Sequence, residues 1–259
     1  MSHAVTTTSR SRLSALARAE MTLLGRSKGT LFAALFVPLM LPFTVLSAVG
    51  KSDLEKAGLT VGTVVLPAAV GFSLLFAVYS ALVGIFVTRR EELVLKRLRT
   101  GEVRDAEILA GASLPAVTIG FVQCLVLAVG CAVLLDVSVP DAPHLVLLGL
   151  LSGLVMCAAL AAVTASVTRT VESAQVTSLP VLLVSMLGSG IAVPLEMLPD
   201  RLASVCELLP LSPVILLVRD GWTGGLTAYE TLGAVVTAVA WTALALFGVR
   251  RWFRWDPRR

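Results

Sequence analysis

Six stretches of this chain run about 20 residues or more with almost no charge: 30–50, 61–88, 108–135, 144–167, 176–195 and 228–249. Helices of that length cross the roughly 30 Å hydrocarbon core of a bilayer, where only helices and closed barrels satisfy every backbone polar group. A soluble domain carries about a quarter charged residues. Here 15% are charged and 56% hydrophobic, and the charges gather between the apolar runs. The pattern predicts an all-α membrane protein with six transmembrane helices in one domain over 1–259. The prolines at 38, 42 and 67 predict kinks in the first two spans. Gly149 and Gly153 in the fourth span form a GxxxG pair that lets another helix approach closely.

Basic residues orient the spans. The N-terminal segment 1–29, the 89–107 connection, residues 168–175 and the tail 250–259 hold 17 of the 21 Lys and Arg residues, and the three alternating segments hold 4. Cytoplasmic connections carry this excess, so both termini are expected inside. Residues 13–24 recur in apolar character at helical spacing, which predicts a cytoplasmic interfacial helix before the first span. The net charge of +4 follows from these topology signals, and no basic face with interleaved aromatics accompanies it, so nucleic acid is not an expected partner.

Two connections are unusual. The first, 89–107, packs six basic and five acidic residues between two uncharged spans. Val94, Leu95 and Leu98 form an apolar ridge on a short helix, Thr100-Gly101 breaks the period, and a new helix is expected to start before Asp105. The second, 188–222 on the external side, is too apolar for a plain loop and too broken by Pro194, Pro199, Pro210 and Pro213 for one span. Asp200 to Leu209 reads as a short amphipathic helix and Pro213 to Val218 as a second that dips back into the membrane. Glu196, Glu207, Arg219 and Asp220 are its charges closest to lipid.

Several chemistries lack their residues. No GxxxxGK[ST] phosphate loop and no HExxH occur, and Cys124, Cys131, Cys157 and Cys206 lack metal-ligand spacing with His3 or His144. The spans are nearly free of ionisable residues, whereas a proton-coupled carrier usually shows at least one such group at depth.

The stretch Arg89 to Gly111 resembles the segment after the second span in permeases of the type 2 ABC exporter class. Glu91-Glu92, the run Leu95-Lys96-Arg97-Leu98-Arg99-Thr100 and Ile108-Leu109-Ala110-Gly111 stand in the matching places. Leu93-Val94 replaces that family's Gly-Thr, and Gly101 to Arg104 replaces its Pro-Leu-Ser turn. Pro194 to Pro199, then Leu208-Leu209-Pro210-Leu211-Ser212-Pro213 and Arg219, is similar to its external element before the last span.

The resemblance implies a permease subunit without its own ATP-binding motif, hence not an enzyme and without cofactor. ATP and Mg would sit on two separate cytoplasmic ATPase subunits, and a second permease copy or a sister permease would complete the complex. Arg89, Arg90, Glu91, Glu92, Leu95, Lys96, Arg97, Leu98 and Arg99 would form the coupling arm against the ATPase, with Leu98 its apolar anchor. Pro194, Glu196, Pro199, Glu207, Pro210, Pro213 and Arg219 would form an external cap on the pathway. The implied activity is export of an amphipathic or lipid-like compound, a drug or antibiotic first. A bacterial plasma membrane is the expected setting, in keeping with 17 Arg against 4 Lys. The residues by themselves also admit a polytopic scaffold or assembly factor and an ATP-independent carrier.

Overall fold

The computed structural model describes residues 40, 60–99, 104–134, 139–225, 227–253 and 255; the predicted interfacial helix and, apart from residue 40, the predicted first span lie outside the described residues. All elements described are helical. The first continuous rod is α1 (Val61–Ser73), a π-helical stretch Leu74–Ser80 and α2 (Ala81–Glu91). A short α3 (Val94–Arg99) follows, then α4 (Asp105–Leu134), α5 (Pro143–Val167) and α6 (Val171–Gly188). A 3-10 turn at Leu195–Met197, α7 (Asp200–Cys206), α8 (Ser212–Thr223) and α9 (Ala228–Trp252) complete the chain.

Five of these helices are long and apolar enough to cross a membrane, with Val61–Glu91 counted as one of 31 residues. At about 1.5 Å per residue that rod exceeds the bilayer core by several turns, so its last turn leaves the apolar zone and carries Arg89 and Arg90. Three helices start at capping boxes: Thr60 with Thr63, Thr170 with Ser173, and Thr227 with Glu230. Each pairs a side chain reciprocally with otherwise unpaired backbone N–H groups. The Thr170 box moves the start of the fifth predicted span from 176 to Val171. Its end moves from 195 to Gly188, because the chain turns at Gly190, whose φ of 73° glycine adopts without the cost that a Cβ brings.

The core centres on α5, which touches the π stretch, α2, α4, α6, α8 and α9. α8 runs antiparallel along its first half, and glycine sets their separation. A Cβ at Gly149 would stand 3.0 Å from Leu217 Cβ, and one at Gly153 2.8 Å from Val214 Cγ1. On the facing helix, a Cβ at Gly221 would stand 2.9 Å from the Val146 backbone N. The GxxxG pair therefore receives α8, half of the 188–222 segment, rather than another full span. The two predicted external helices are present with shifted ends. α7 stops at Cys206, not Leu209, and α8 covers Ser212–Thr223, ending where Gly224 takes φ 73°. Among the described residues, the proline at 67 lies inside α1 and the marked departure comes later, at the π stretch. There Tyr79 is fully buried and its hydroxyl hydrogen-bonds Thr164 Oγ1 of α5 at 2.9 Å.

Glycine substitutions should separate by position. Gly221→Ala meets backbone and is expected to cost about 1–3 kcal/mol of unfolding free energy by overpacking. Gly84→Ala and Gly233→Ala meet nothing within 4 Å, and should be neutral or stabilising by up to about 1 kcal/mol through helix propensity. Unfolding of purified protein in detergent, followed by far-UV circular dichroism, reads both signs.

Candidate functional site

At one end of the bundle, α2, α3 and the start of α4 form the arm. Glu92 ends α2 with φ −73° and ψ 0°, and Leu93 then takes φ 59° before α3 begins. A left-handed conformation costs a residue with Cβ about 1–2 kcal/mol. This elbow falls where the resembling family carries glycine. The bend anticipated at Gly101 lies outside the described residues, and the structure shows one at Leu93. α4 then starts at Asp105 as expected, with Glu107 Oε2 accepting from Arg104 N at 3.2 Å.

The arm's side chains divide. Glu91, Glu92 and Arg97 are exposed, while Arg89, Val94 and Leu98 are half-buried. Leu95 is fully buried, so the predicted ridge turns partly onto the subunit itself, where α3 rests on α2 and α4. The side chains of Lys96 and Arg99 lie outside the described set.

Arg90 is 1% exposed. Its Nη1 donates to Ala165 O at 2.7 Å, and its Nη2 donates to Thr168 O at 2.6 Å and Arg169 O at 3.4 Å. These carbonyls belong to the last turn of α5 and the residues after it, where helical partners run out and a cation meets the negative end of the helix dipole. Beside it, Glu91 Oε1 accepts from Val171 N at 3.2 Å, at the positive end of α6. Thr168 ties the same turn together, bonding Thr164 O at 2.8 Å and Thr177 Oγ1 at 2.7 Å. Sequence reasoning grouped Arg90 and Glu91 with the outward-facing charges. The available signal was their position, directly after an uncharged run too long for the bilayer.

At the opposite end, Pro194, Pro210 and Pro213 are buried, and Pro199 and Glu207 are exposed. Pro213 occupies the first turn of α8, where its missing N–H costs nothing. Arg219 is half-buried and pairs with Asp220 at 3.7 Å. Glu196 lies in the 3-10 turn, its side chain outside the described set. Two ties seat the segment: Ser212 Oγ donates to Cys206 O, and Trp241 Nε1 of α9 donates to Leu208 O at 2.8 Å. Gly188 makes room for Leu209, since a Cβ there would stand 2.3 Å from Leu209 Cδ1.

Between α4, α5 and α9, at the arm end, lies a groove of about 530 Å³. Phe86, Leu109, Leu114, Leu154, Leu246 and Phe253 supply its apolar walls, and Asp105, Ser113 and Arg250 its polar groups. Among the described residues no cluster of three or more His, Cys, Asp or Glu could hold a metal, and all four cysteines are free and buried.

A bundle of apolar helices, a charged arm at one end and a proline-broken helical segment at the other define a multi-pass membrane protein of the permease class. The profile of the ABC-2 type transporter family matches residues 11–221, most of the chain and both unusual connections, and the chain belongs to that family. Comparison with curated proteins returns no match. A permease of this family is the membrane component of a transporter that works with an ABC ATPase.

The elbow yields a paired test. Leu93→Gly and Leu93→Ala both remove the side chain, but only glycine relieves the φ of 59°. The glycine variant should be the more stable of the two by about 1 kcal/mol, read as slower amide exchange in α3.

Proposed function

We propose that this chain is the membrane-spanning subunit of an ATP-driven exporter that moves amphipathic or lipid-like compounds, drugs or antibiotics first among them, out of a bacterial cell. The carrying observation is the preformed arm: an elbowed, charged helix pair anchored by Leu95 and presenting Glu92 and Arg97 to solvent. Family membership supports an ABC ATPase as the protein that meets it. Two such ATPases would hold the ATP and Mg, and their closure would move the arm. The apolar groove with one acid and one arginine at its rim suits a cargo that is mostly hydrocarbon with a polar end. A second copy or a sister permease would cover α6, whose Val176, Leu179, Leu183 and Leu187 form an exposed apolar stripe. The segment from Pro194 to Arg219 closes the pathway on the outside.

Orientation is tested by cysteine accessibility. Glu102→Cys should react only from the cytoplasmic side and Asp200→Cys only from outside; external labelling at position 102 overturns the arrangement.

The function itself is tested by affinity purification from the native host. The wild-type chain should carry an ATPase with it and support ATP-dependent efflux. Leu98→Asp should insert normally and lose both, because a charge forced into an interface pocket lacks a partner. Loss of an anchoring contact of about 2 kcal/mol is roughly thirtyfold in affinity. Retention of ATPase and efflux by Leu98→Asp returns the chain to the scaffold reading.

A further inference from the structure

We infer that Arg90 and Glu91 are positioning residues that transmit arm movement across the subunit to the far segment, by clamping the facing ends of α5 and α6. This rests on the ATP-driven reading and specifies the route by which the work crosses the membrane.

The inference begins with what the two side chains hold. Arg90 grips three carbonyls at the C-terminal end of α5, and Glu91 takes the first amide of α6. Consecutive residues of one helix thus hold the end of one span and the beginning of the next, with opposite charges matched to opposite helix poles. The chain between those poles is only three residues, Thr168, Arg169 and Thr170. A displacement of α2 along its axis therefore carries the α5–α6 connection with it.

Both clamped helices lead to the same place. α5 holds α8 through the close approach of Gly149, Gly153 and Gly221. α6 ends at Gly188, against Leu209 and Cys206, and Ala192 N donates to Met186 O at 3.0 Å just beyond. α7 and α8 are thereby attached to the arm by two helices, α5 running toward it and α6 away from it. A route of this kind needs contacts that are rigid and directional, and a fully buried guanidinium with two bonds of 2.7 Å or less provides both.

The decisive substitution lies outside the arm. Val171→Pro removes the amide that Glu91 accepts from, while proline is favoured at the first position of a helix. Thr170 already has the extended φ −128° and ψ 163° that a residue before proline requires. Arg90→Lys is the second variant, keeping the charge but not the fork. Glu91→Gln is the conservative control, because its side-chain oxygen still accepts from Val171 N.

The measurement uses the complex with its co-purified ATPase in nanodiscs. Each variant carries Leu202→Cys, an exposed α7 position, against a background of buried native cysteines. Maleimide labelling is timed without nucleotide and after trapping with ATP and vanadate. In wild type the nucleotide should change the labelling rate. In Val171→Pro and Arg90→Lys that change should shrink by about fivefold or more, a typical size for a coupling between distant sites. ATPase recovery should stay unchanged, and Glu91→Gln should retain most of the response.

A wild-type-sized response in Val171→Pro and Arg90→Lys overturns the clamp alone. So does loss of the ATPase from Val171→Pro, which would place this turn at the partner interface instead. If Arg90→Lys fails to insert, Val171→Pro decides. A wild-type complex with no nucleotide response overturns the ATP-driven reading and the clamp with it.

Discussion

The subunit depends on how closely α5 and α8 approach. Lipid is as apolar as leucine, so burying apolar surface does not drive helices together in a membrane, and they associate through tight packing and polar contacts. Gly149, Gly153 and Gly221 remove the side chains that would hold these two helices apart. Val214, Leu217 and Val218 then lie fully buried between α5 and its neighbours. Because α5 also touches α2, α4, α6 and α9, the position of this one pair sets the frame for the bundle. The proline-broken segment that carries α8 is consequently part of the core rather than an appendage to it.

A second constraint acts at the helix ends. A buried charge is tolerated only when its hydrogen-bonding capacity is met. For Arg90 the two Nη groups donate to backbone carbonyls that α5 leaves open, which sets the cation against the negative end of that helix. Tyr79 with Thr164, and Thr168 with Thr177, repeat this solution with neutral groups nearby. These contacts concentrate where α2, α5 and α6 meet, and they give an otherwise featureless apolar bundle a specific geometry at the arm end.

Much of the architecture was legible in the sequence, and the reasons are physical. Hydrophobic runs report spans because lipid admits no unpaired backbone, and five of the six stretches are helices at nearly the anticipated positions; the stretch at 30–50, apart from residue 40, lies outside the described residues. The GxxxG pair promised a close neighbour but could not name it, since its partners Val214 and Leu217 lie far along the chain in an element broken by prolines. The fifth span was misjudged at both ends. Glu172, Ser173 and Gln175 look like loop residues in a hydropathy scan, whereas the Thr170-x-x-Ser173 box marks a helix start. The arm was found by charge, but its division into inward and outward faces was not. Arg90 and Arg89 are alike in composition, and only the helix phase buries one of them. The π stretch carries no obvious sequence mark.

The elbow at Leu93 has a thermodynamic consequence. Its direction is written into a backbone torsion and held from within by the buried Leu95, so the helix beyond it already has the shape that another protein would meet. Binding to a flexible segment spends part of its free energy on ordering that segment, a cost of about 0.5–1.5 kcal/mol for each immobilised side chain. A surface organised in advance avoids most of that loss. The strain at Leu93 is accordingly settled during folding, once per molecule, instead of at every encounter and release.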